Sequence, residues 1–477
     1  MSSKRRAKRE SKANPTRVSQ PPRSRGARPL EDNTETRGAR EIRAETKHAR
    51  HLQNRVGKRY RDRLGAEFEK LQAALCIRHD AAQDEHMHAA GLGQKGKTGG
   101  SRRPINKTKI VDLAPSPIRE PDLEATAASR ILELQTQYQH NVLTQIGQRR
   151  SGCTTQTIRR RKEWSALPPS TRASFISAIH CLNTLPPQTP SHKAPGARTR
   201  YDDFIVTHIE QTPLAHASGL FLPFHRHLLH AFERTLRETC GYTDALPYWD
   251  WTAAFEDPRR AEVFDGSETS MGGNGRWVAG RNATEIALPD GVVKTIPPAT
   301  GGGCVESGPF AEGRYFVRLG PVGYEPKGPM GGLGYNPRCL TRDLSPEFSQ
   351  GTRPSAVTAL VDGCEDLGCF VQELDAPGGV PGGLHASGHW QIGLTALDVF
   401  ASPGDPMFWL HHAQVDRVWT IWQGQDLEKR TYEVWGTVPP SDNVTLDTAM
   451  DFGTVDAPKT IREVSSPVDG DYCYMYE

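Results

Sequence analysis

The sequence predicts a mainly α-helical fold in which a four-helix bundle brings histidine side chains together. Three observations support this prediction. Four segments of residues 151–477 carry apolar side chains at helical spacing, each of these segments contains a histidine, and residues 266–378 are rich in Gly and Pro with little periodicity. We therefore expect a four-helix core with long loops and few short strands, preceded by a basic and largely disordered N-terminal arm.

The predicted helices follow one another along residues 151–477. Residues 164–182 predict a first helix capped by Ser170, with His180 in a structural role. The histidine-bearing helices are predicted at 202–211, 224–238, 385–392 and 405–423.

The most informative stretch is residues 384–422. His385 and His389 are four residues apart, so on a helix they share one face and can bind one ion. His412 lies on the next predicted helix, and we expect Asp416, one turn later, to accept the second ring N–H of His412 and fix its tautomer. A single histidine here would more often be a hydrogen-bonded core residue, whereas three histidines beside a carboxylate favour a metal site.

A second set of histidines lies upstream. His208, His216 and His225 again supply three imidazoles, and no cysteine ligand is near them in the sequence. Zinc and iron sites usually recruit a carboxylate or a thiolate, whereas copper accepts ligation by nitrogen alone. Two sets of three histidines therefore favour copper.

These motifs resemble those of the tyrosinase and catechol oxidase family, whose members hold two copper ions. HRxxLxxFE from His225, PYWDW at Pro247–Trp251, the HxxxH pair and DPxFWLHHxxxDRxW follow in the order typical of that family. RYDDF at Arg200–Phe204 and SMGGNG at 270–275 are most similar to its short fungal members. The resemblance implies a dicopper core and a packing role for His411. It assigns one copper ion to His208, His216 and His225, and the other to His385, His389 and His412.

The resemblance also implies an activity, the oxidation of ortho-diphenols, and also of monophenols or ortho-aminophenols, to quinones with O2. Family members often place an acidic base upstream of the HxxxH pair, and Glu373 and Asp375 are the candidates here. Ala386 stands where many hydroxylating members have Asn, and its methyl group forms no hydrogen bond. We therefore expect this chain to favour diphenols, with Trp390 either narrowing the entrance or pointing away. An oxygen carrier on the same centre, without oxidase activity, is the alternative.

Residues 1–118 differ from the rest in charge and composition. Residues 1–115 carry 28 Lys and Arg against 13 Asp and Glu, so the remainder carries a net charge of about −12 although the whole chain has +3. Residues 1–45 have too few apolar side chains to form a core, and we expect them to be disordered. The sequence thus predicts a basic arm at 1–118, a linker helix at 119–150 and an oxidase domain at 151–477.

Part of the arm is similar to a known DNA-binding motif. Residues 49–75 and 107–114 resemble the basic region, the first helix and the start of the second helix of fungal basic helix-loop-helix regulators. Pro115 and Pro117 end the second helix after about two turns, which leaves too little apolar surface for the dimer that grips DNA. We therefore interpret the segment as a remnant or as a gene fused in the gene model, and we expect no nucleic-acid partner. A DNA-binding regulator, the second alternative, would require an intact second helix.

The signals for cellular location conflict. No run of eighteen apolar residues predicts a membrane span, and the N-terminus lacks the apolar region of a secretory signal. Eight of the nine cysteines nevertheless fall in 151–477, where sequons also occur at Asn282 and Asn443. An even number of cysteines permits disulfides in an oxidising compartment, although the pairing and the oligomeric state do not follow from the sequence.

Overall fold

The computed structural model of the chain describes residues 120–148, 152–289, 291–375, 383–438 and 443–477. The basic arm and its helix-loop-helix resemblance lie outside these residues. The α-helices are α1 Glu120–Gln148, α2 Pro169–Leu182, α3 Arg200–Ala215, α4 Phe221–Cys240, α5 Pro346–Ser349, α6 Pro354–Gly363, α7 Leu367–Asp375, α8 Gly383–Trp390, α9 Met407–Gly424, α10 Leu427–Arg430 and α11 Ile461–Val464. The strands are β1 Arg159–Arg161, β2 Gly275–Trp277, β3 Thr284–Ala287, β4 Val293–Ile296, β5 Gly302–Val305, β6 Ala449–Met450, β7 Lys459–Thr460 and β8 Tyr474–Tyr476.

Helix α9 is the centre of the fold, which confirms the mainly α-helical prediction. All of its residues are buried, and it packs against α1, α4, α6 and α8. A helix that is apolar on most of its circumference is stable only when neighbours cover it on all sides. The histidines on α9 are therefore held within the core and kept away from bulk water.

Several predicted boundaries change in the structure. Helix α2 begins at Pro169 with no side-chain cap, so the cap predicted at Ser170 is wrong; the fixed φ of a proline at the first helical position starts the helix instead. Helix α3 is longer than predicted because Thr199 and Asp202 form a capping box at its start. The expectation of loops throughout 266–378 is also wrong at its C-terminal end, where α5, α6 and α7 form.

The strands are short and pair two by two within the described part of the chain. β2 pairs with β5, β3 with β4 and β6 with β7, each antiparallel, whereas β1 and β8 are parallel. The β1–β8 pair joins the two ends of the oxidase region, and a disulfide beside it does the same. All eight cysteines of this region are paired, as Cys153–Cys473, Cys181–Cys240, Cys304–Cys339 and Cys364–Cys369.

Helix α1 is docked on the oxidase core rather than separate from it. Its apolar side, from Ile131 to Ile146, lies in the same cluster as α9. The buried Arg417 of α9 donates from Nε to the Gln135 side-chain oxygen at 2.8 Å. A Cβ atom on Gly424 would lie 2.7 Å from the Tyr138 side chain, so the two helices approach closely only because residue 424 is glycine. The helix predicted as a linker is therefore part of the core.

A truncation series would test this boundary. We predict that a chain of residues 119–477 folds, binds copper and oxidises catechol like the full chain, because 1–118 supply no predicted ligand. A chain of 151–477 lacks α1, exposes the apolar surface beneath it and should lose roughly several kcal/mol in free energy of unfolding. Urea unfolding of both chains would measure the difference. Equal stability would show that α1 contributes nothing to the core, and loss of activity in 119–477 would reveal a role for the arm.

Candidate metal centre

Two groups of histidines converge inside the bundle. His208 lies on α3, His216 ends that helix, and His225 lies on α4, and their ligand nitrogens are all within 4.8 Å of one another. A second group meets the same limit and consists of His385 and His389 on α8 with His411 and His412 on α9. The structure therefore brings together all six histidines that the sequence analysis selected.

Hydrogen bonds to backbone carbonyls fix two rings of the first group. The Nδ1–H of His208 donates to the Phe400 carbonyl at 2.7 Å, and the Nδ1–H of His225 donates to the Phe221 carbonyl at 2.8 Å. A carbonyl oxygen only accepts, so both rings carry their proton on Nδ1 and a lone pair on Nε2. These two Nε2 atoms face each other at 3.4 Å. Two lone pairs repel each other at this distance, and a cation bound between them would remove that repulsion.

The second group also presents nitrogen atoms without partners. Nε2 of His389 lies 3.1 Å from Nε2 of His412, while the Nδ1 atoms of both rings have no hydrogen-bond partner among the described residues. Nε2 of His385 is likewise buried and unpartnered. Buried polar atoms are normally hydrogen-bonded, so these unpartnered ring nitrogens within one group of histidines favour a bound ligand.

Burial favours the neutral form of five of these imidazoles by lowering their pKa values. It lowers the pKa of the His208 imidazole to about 4. It also places the pKa values of four further rings well below the usual value, those of His216, His225, His389 and His412. Each ring thus offers a lone pair to a metal ion. A donor set of nitrogen atoms only, with no thiolate or carboxylate ligand, suits copper.

The two groups form one continuous site. The rings of His225 and His412 stack with their centroids 4.2 Å apart and their planes 12° apart. The ring centroid of Phe408, on α9, lies 5.0 Å from that of His208 and 4.2 Å from that of His412. Phe408 therefore fills the space between the two groups of histidines. These contacts hold α3, α4 and α9 in register around the histidines.

His411 differs from the other histidines of the site because its Nδ1 accepts a hydrogen bond. Trp251 of the PYWDW motif donates its indole N–H to that nitrogen at 3.1 Å. A Cβ atom at Gly388 would collide with the His411 ring, which therefore packs directly on the backbone of α8. The ring also stacks on His385, with planes 10° apart. The packing role expected for His411 stays a prediction, because its Nε2 is buried without a partner among the described residues. The motif gave no indication of the contact with Trp251.

Asp416 does not make the contact predicted for it. Its carboxylate accepts hydrogen bonds from Arg226 Nε at 2.6 Å and from the hydroxyls of Tyr474 and Tyr476 at 2.7 Å each. Burial raises the pKa of the Asp416 carboxyl, but the Arg226 and Arg161 guanidinium groups outweigh it and lower the pKa overall. The predicted hydrogen bond to His412 is wrong because buried guanidinium and hydroxyl donors occupy the carboxylate. Asp416 thus joins α9 to α4 and to β8.

The residues expected to shape the substrate side have different environments. Trp390 is buried against Phe348, with ring centroids 5.3 Å apart, so it points into a small apolar cluster rather than across an entrance. Ala386 is partly exposed and packs against the edge of that cluster. The side chain of Glu373 is exposed on α7, and among the described residues no contact joins it to a histidine of the site. Its role as a base stays a prediction, as does the selectivity role of Ala386.

The other histidines on α4 face away from the site. His227 bonds to the Tyr472 hydroxyl and to Asp456, and the His230 ring packs on Tyr472 at 4.5 Å. Neither belongs to a described group of possible metal ligands. Near the C-terminus, Tyr474 contacts Asp416 and Tyr472 contacts His227. Within the described residues, no helix combines the length and the apolar character needed to cross a membrane.

Comparisons with known proteins identify what this arrangement is similar to. A family model described as the common central domain of tyrosinase matches residues 198–425. Tyrosinase P of Aspergillus terreus is 41% identical over 330 residues, which cover 66% of this chain and 91% of that protein. The N-acetyl-6-hydroxytryptophan oxidase of Emericella nidulans is 36% identical over 353 residues, or 68% of this chain and 94% of that protein. A solved polyphenol oxidase variant from Thermothelomyces thermophila is 35% identical with a TM-score of 0.68, and the match covers 76% of this chain and 99% of that one.

Proposed function

Because the chain belongs to the tyrosinase family and is a copper oxidoreductase of phenols, we propose that its preferred substrates are ortho-diphenols, which it oxidises to ortho-quinones with O2. We further propose that His208, His216 and His225 hold one copper ion and that His385, His389 and His412 hold the other. The observation that supports this most directly is the pair of Nε2 lone pairs facing each other in the first group, at 3.4 Å.

The chain's own residues prepare the site for this reaction. When bound, the copper pair supplies the one-electron steps that link oxidation of the phenol to reduction of O2. The protein orients the imidazoles through the Phe400 and Phe221 carbonyls and excludes water with Phe221 and Phe408. His389 is the least buried of the six histidines, so we propose that the diphenol reaches the site from the side of α8.

The preference for diphenols rests on Ala386. A monophenol must lose its proton and be hydroxylated, and a side chain that holds a proton-accepting water assists the first step. A methyl group at residue 386 neither donates nor accepts a hydrogen bond, so this assistance is absent there. A catechol has a more acidic first hydroxyl and needs no new C–O bond, so it depends less on such help.

Initial rates on matched substrates would test the preference. We predict that catechol oxidation exceeds tyrosine hydroxylation by about tenfold or more, since one hydrogen bond contributes about 1.4 kcal/mol, or about tenfold in rate. The Ala386→Asn variant should raise the monophenol rate relative to the diphenol rate by a similar factor. The panel should include a hydroxyindole, because one relative is named as an oxidase of N-acetyl-6-hydroxytryptophan. Comparable rates in the unmodified chain would show that another group deprotonates the phenol, with Glu373 the next residue to replace.

An oxygen carrier on the same centre was the alternative from the sequence, and the similarity to oxidases disfavours it. Both functions need six imidazoles, and they differ in whether a catechol reaches the copper pair. Monitoring quinone formation from catechol in air by its absorbance distinguishes the oxidase from the carrier. A copper-loaded chain that binds O2 reversibly and produces no quinone would support the carrier instead.

A further inference from the structure

The six histidines of the site differ in what holds their second ring nitrogen. His208 and His225 donate to backbone carbonyls, whereas the Nδ1–H of His385 donates to the carboxylate of Asp375 at 2.6 Å. Asp375 is the last residue of α7, a helix that packs against α8. Among the described residues, no other carboxylate bonds to any of the six rings.

We propose that Asp375 is a positioning residue for the copper ion predicted at His385, His389 and His412. A carboxylate accepts the Nδ1–H, so the proton of a neutral His385 ring stays on Nδ1 and the lone pair stays on Nε2. That Nε2 atom is buried and has no partner in the described part of the chain. Asp375 therefore directs the lone pair of His385 Nε2 toward the ion. The inference rests on the proposed ligand set but goes beyond it.

The other contacts of His385 cannot fix this orientation. Its ring lies 4.7 Å from the Phe221 ring and stacks on His411 at 5.5 Å. Ring contacts fix the plane of an imidazole, but they are nearly unchanged when the ring turns by about 180° about χ2. Such a turn exchanges the places of its nitrogens and carbons. Among the described contacts of His385, the directional hydrogen bond to Asp375 alone distinguishes the two orientations.

The chain offers a matched control two residues away. Glu373 lies on the same helix with the same charge, but its side chain is exposed and has no described contact with the site. The Asp375 side chain is 31% exposed and that of His385 is 8% exposed. A general effect of negative charge near the site would appear in both positions. A positioning effect would appear at Asp375 alone.

Competition between the copper-loaded full chain and a chelator, without substrate, tests the proposal. We expect Asp375→Ala to weaken one of two copper-binding steps by about 10- to 100-fold and leave the other unchanged. Asp375→Asn keeps an accepting oxygen and should recover part of the loss, and Glu373→Ala should bind copper as the unmodified chain does. Unchanged copper release from a folded Asp375→Ala variant would overturn the proposal. So would equal losses in the Asp375 and Glu373 variants.

A measurement on the unmodified chain guards against a variant that fails to fold. In the copper-free full chain, labelled with 15N at histidine, the shifts of His385 should report the Nδ1–H tautomer. The Nε2–H tautomer would overturn the proposal. A chain whose copper binding follows these expectations but which produces no quinone would contradict the proposed function and leave this inference standing. If Asp375 served only as a base for the substrate, the rate of catechol oxidation would fall in both Asp375 variants while copper binding stayed the same. This result would also contradict a positioning role for Asp375.

Discussion

Replacing His412 by alanine is expected to remove one copper ion from the chain and to abolish most oxidase activity. The His412 ring stacks on His225 at 4.2 Å and its Nε2 lies 3.1 Å from that of His389, so it belongs to the centre of the site. A metal ion lowers a reaction barrier by several kcal/mol, and about 4 kcal/mol corresponds to about a thousandfold in rate. Copper analysis and catechol oxidation rates on the same preparation would measure both effects.

His230 provides the control for this experiment. It is buried on α4, the helix that also carries His225, but it packs on Tyr472 away from the site. We therefore expect His230→Ala to keep its copper, with a modest loss of stability from the small cavity that it creates. Full copper occupancy and unchanged oxidation in His412→Ala would refute the proposed ligand set.

Replacing Asp416 by alanine is expected to destabilise the whole domain, with a smaller direct effect on copper. The change would leave Arg226 and Arg161 without this carboxylate, and the side chains of both arginines are fully buried. Removing one partner of a buried ion pair costs about 3–5 kcal/mol, because an uncompensated charge remains in the core. Urea unfolding of the copper-free chain would measure this cost separately from metal binding.

Asp362 offers an exposed carboxylate for comparison. It pairs with Arg130 at 3.0 Å, and both side chains are more than a third exposed. Such pairs contribute about 0–1 kcal/mol, so Asp362→Ala should be close to neutral. Asp416→Asn keeps one oxygen that can accept from the tyrosine hydroxyls, so its loss of stability should lie between those of Asp416→Ala and Asp362→Ala. If Asp416→Ala kept normal stability but lost copper, Asp416 would act on His412 after all.

The candidate ligands could be selected from the sequence because their pattern is local. His385 and His389 are one helical turn apart, and the motifs around His225 and His412 have fixed spacing. Local spacing predicts which side chains share a face of a helix, and the structure brings these faces together. The same reasoning failed for Asp416, because spacing places a carboxylate one turn from a histidine but does not state which donors from other helices compete for it.

Four features were decided by the tertiary structure alone. They are the docking of α1 on α9, the pairing of β1 with β8, the contact of Trp251 with His411 and the choice of Asp375 over Glu373. Each depends on segments that are separated in the chain, so no periodicity or spacing encodes it. Asp375 and Glu373 are only two residues apart, yet the turn of α7 exposes the Glu373 carboxylate and directs that of Asp375 to His385.

The sequence by itself determined the helical class, the two sets of histidines and the family to which they belong. The helical class follows from helical periodicity, the two sets of histidines follow from local spacing, and the family follows from the resemblance of the motifs. Only the tertiary structure decided which nitrogen is free in the rings of His208, His225 and His385, and which carboxylate contacts an imidazole. The physical reason is that a proton on a histidine ring goes where an acceptor lies, and the acceptors here come from Phe400, Phe221 and Asp375, which the fold brings to the site.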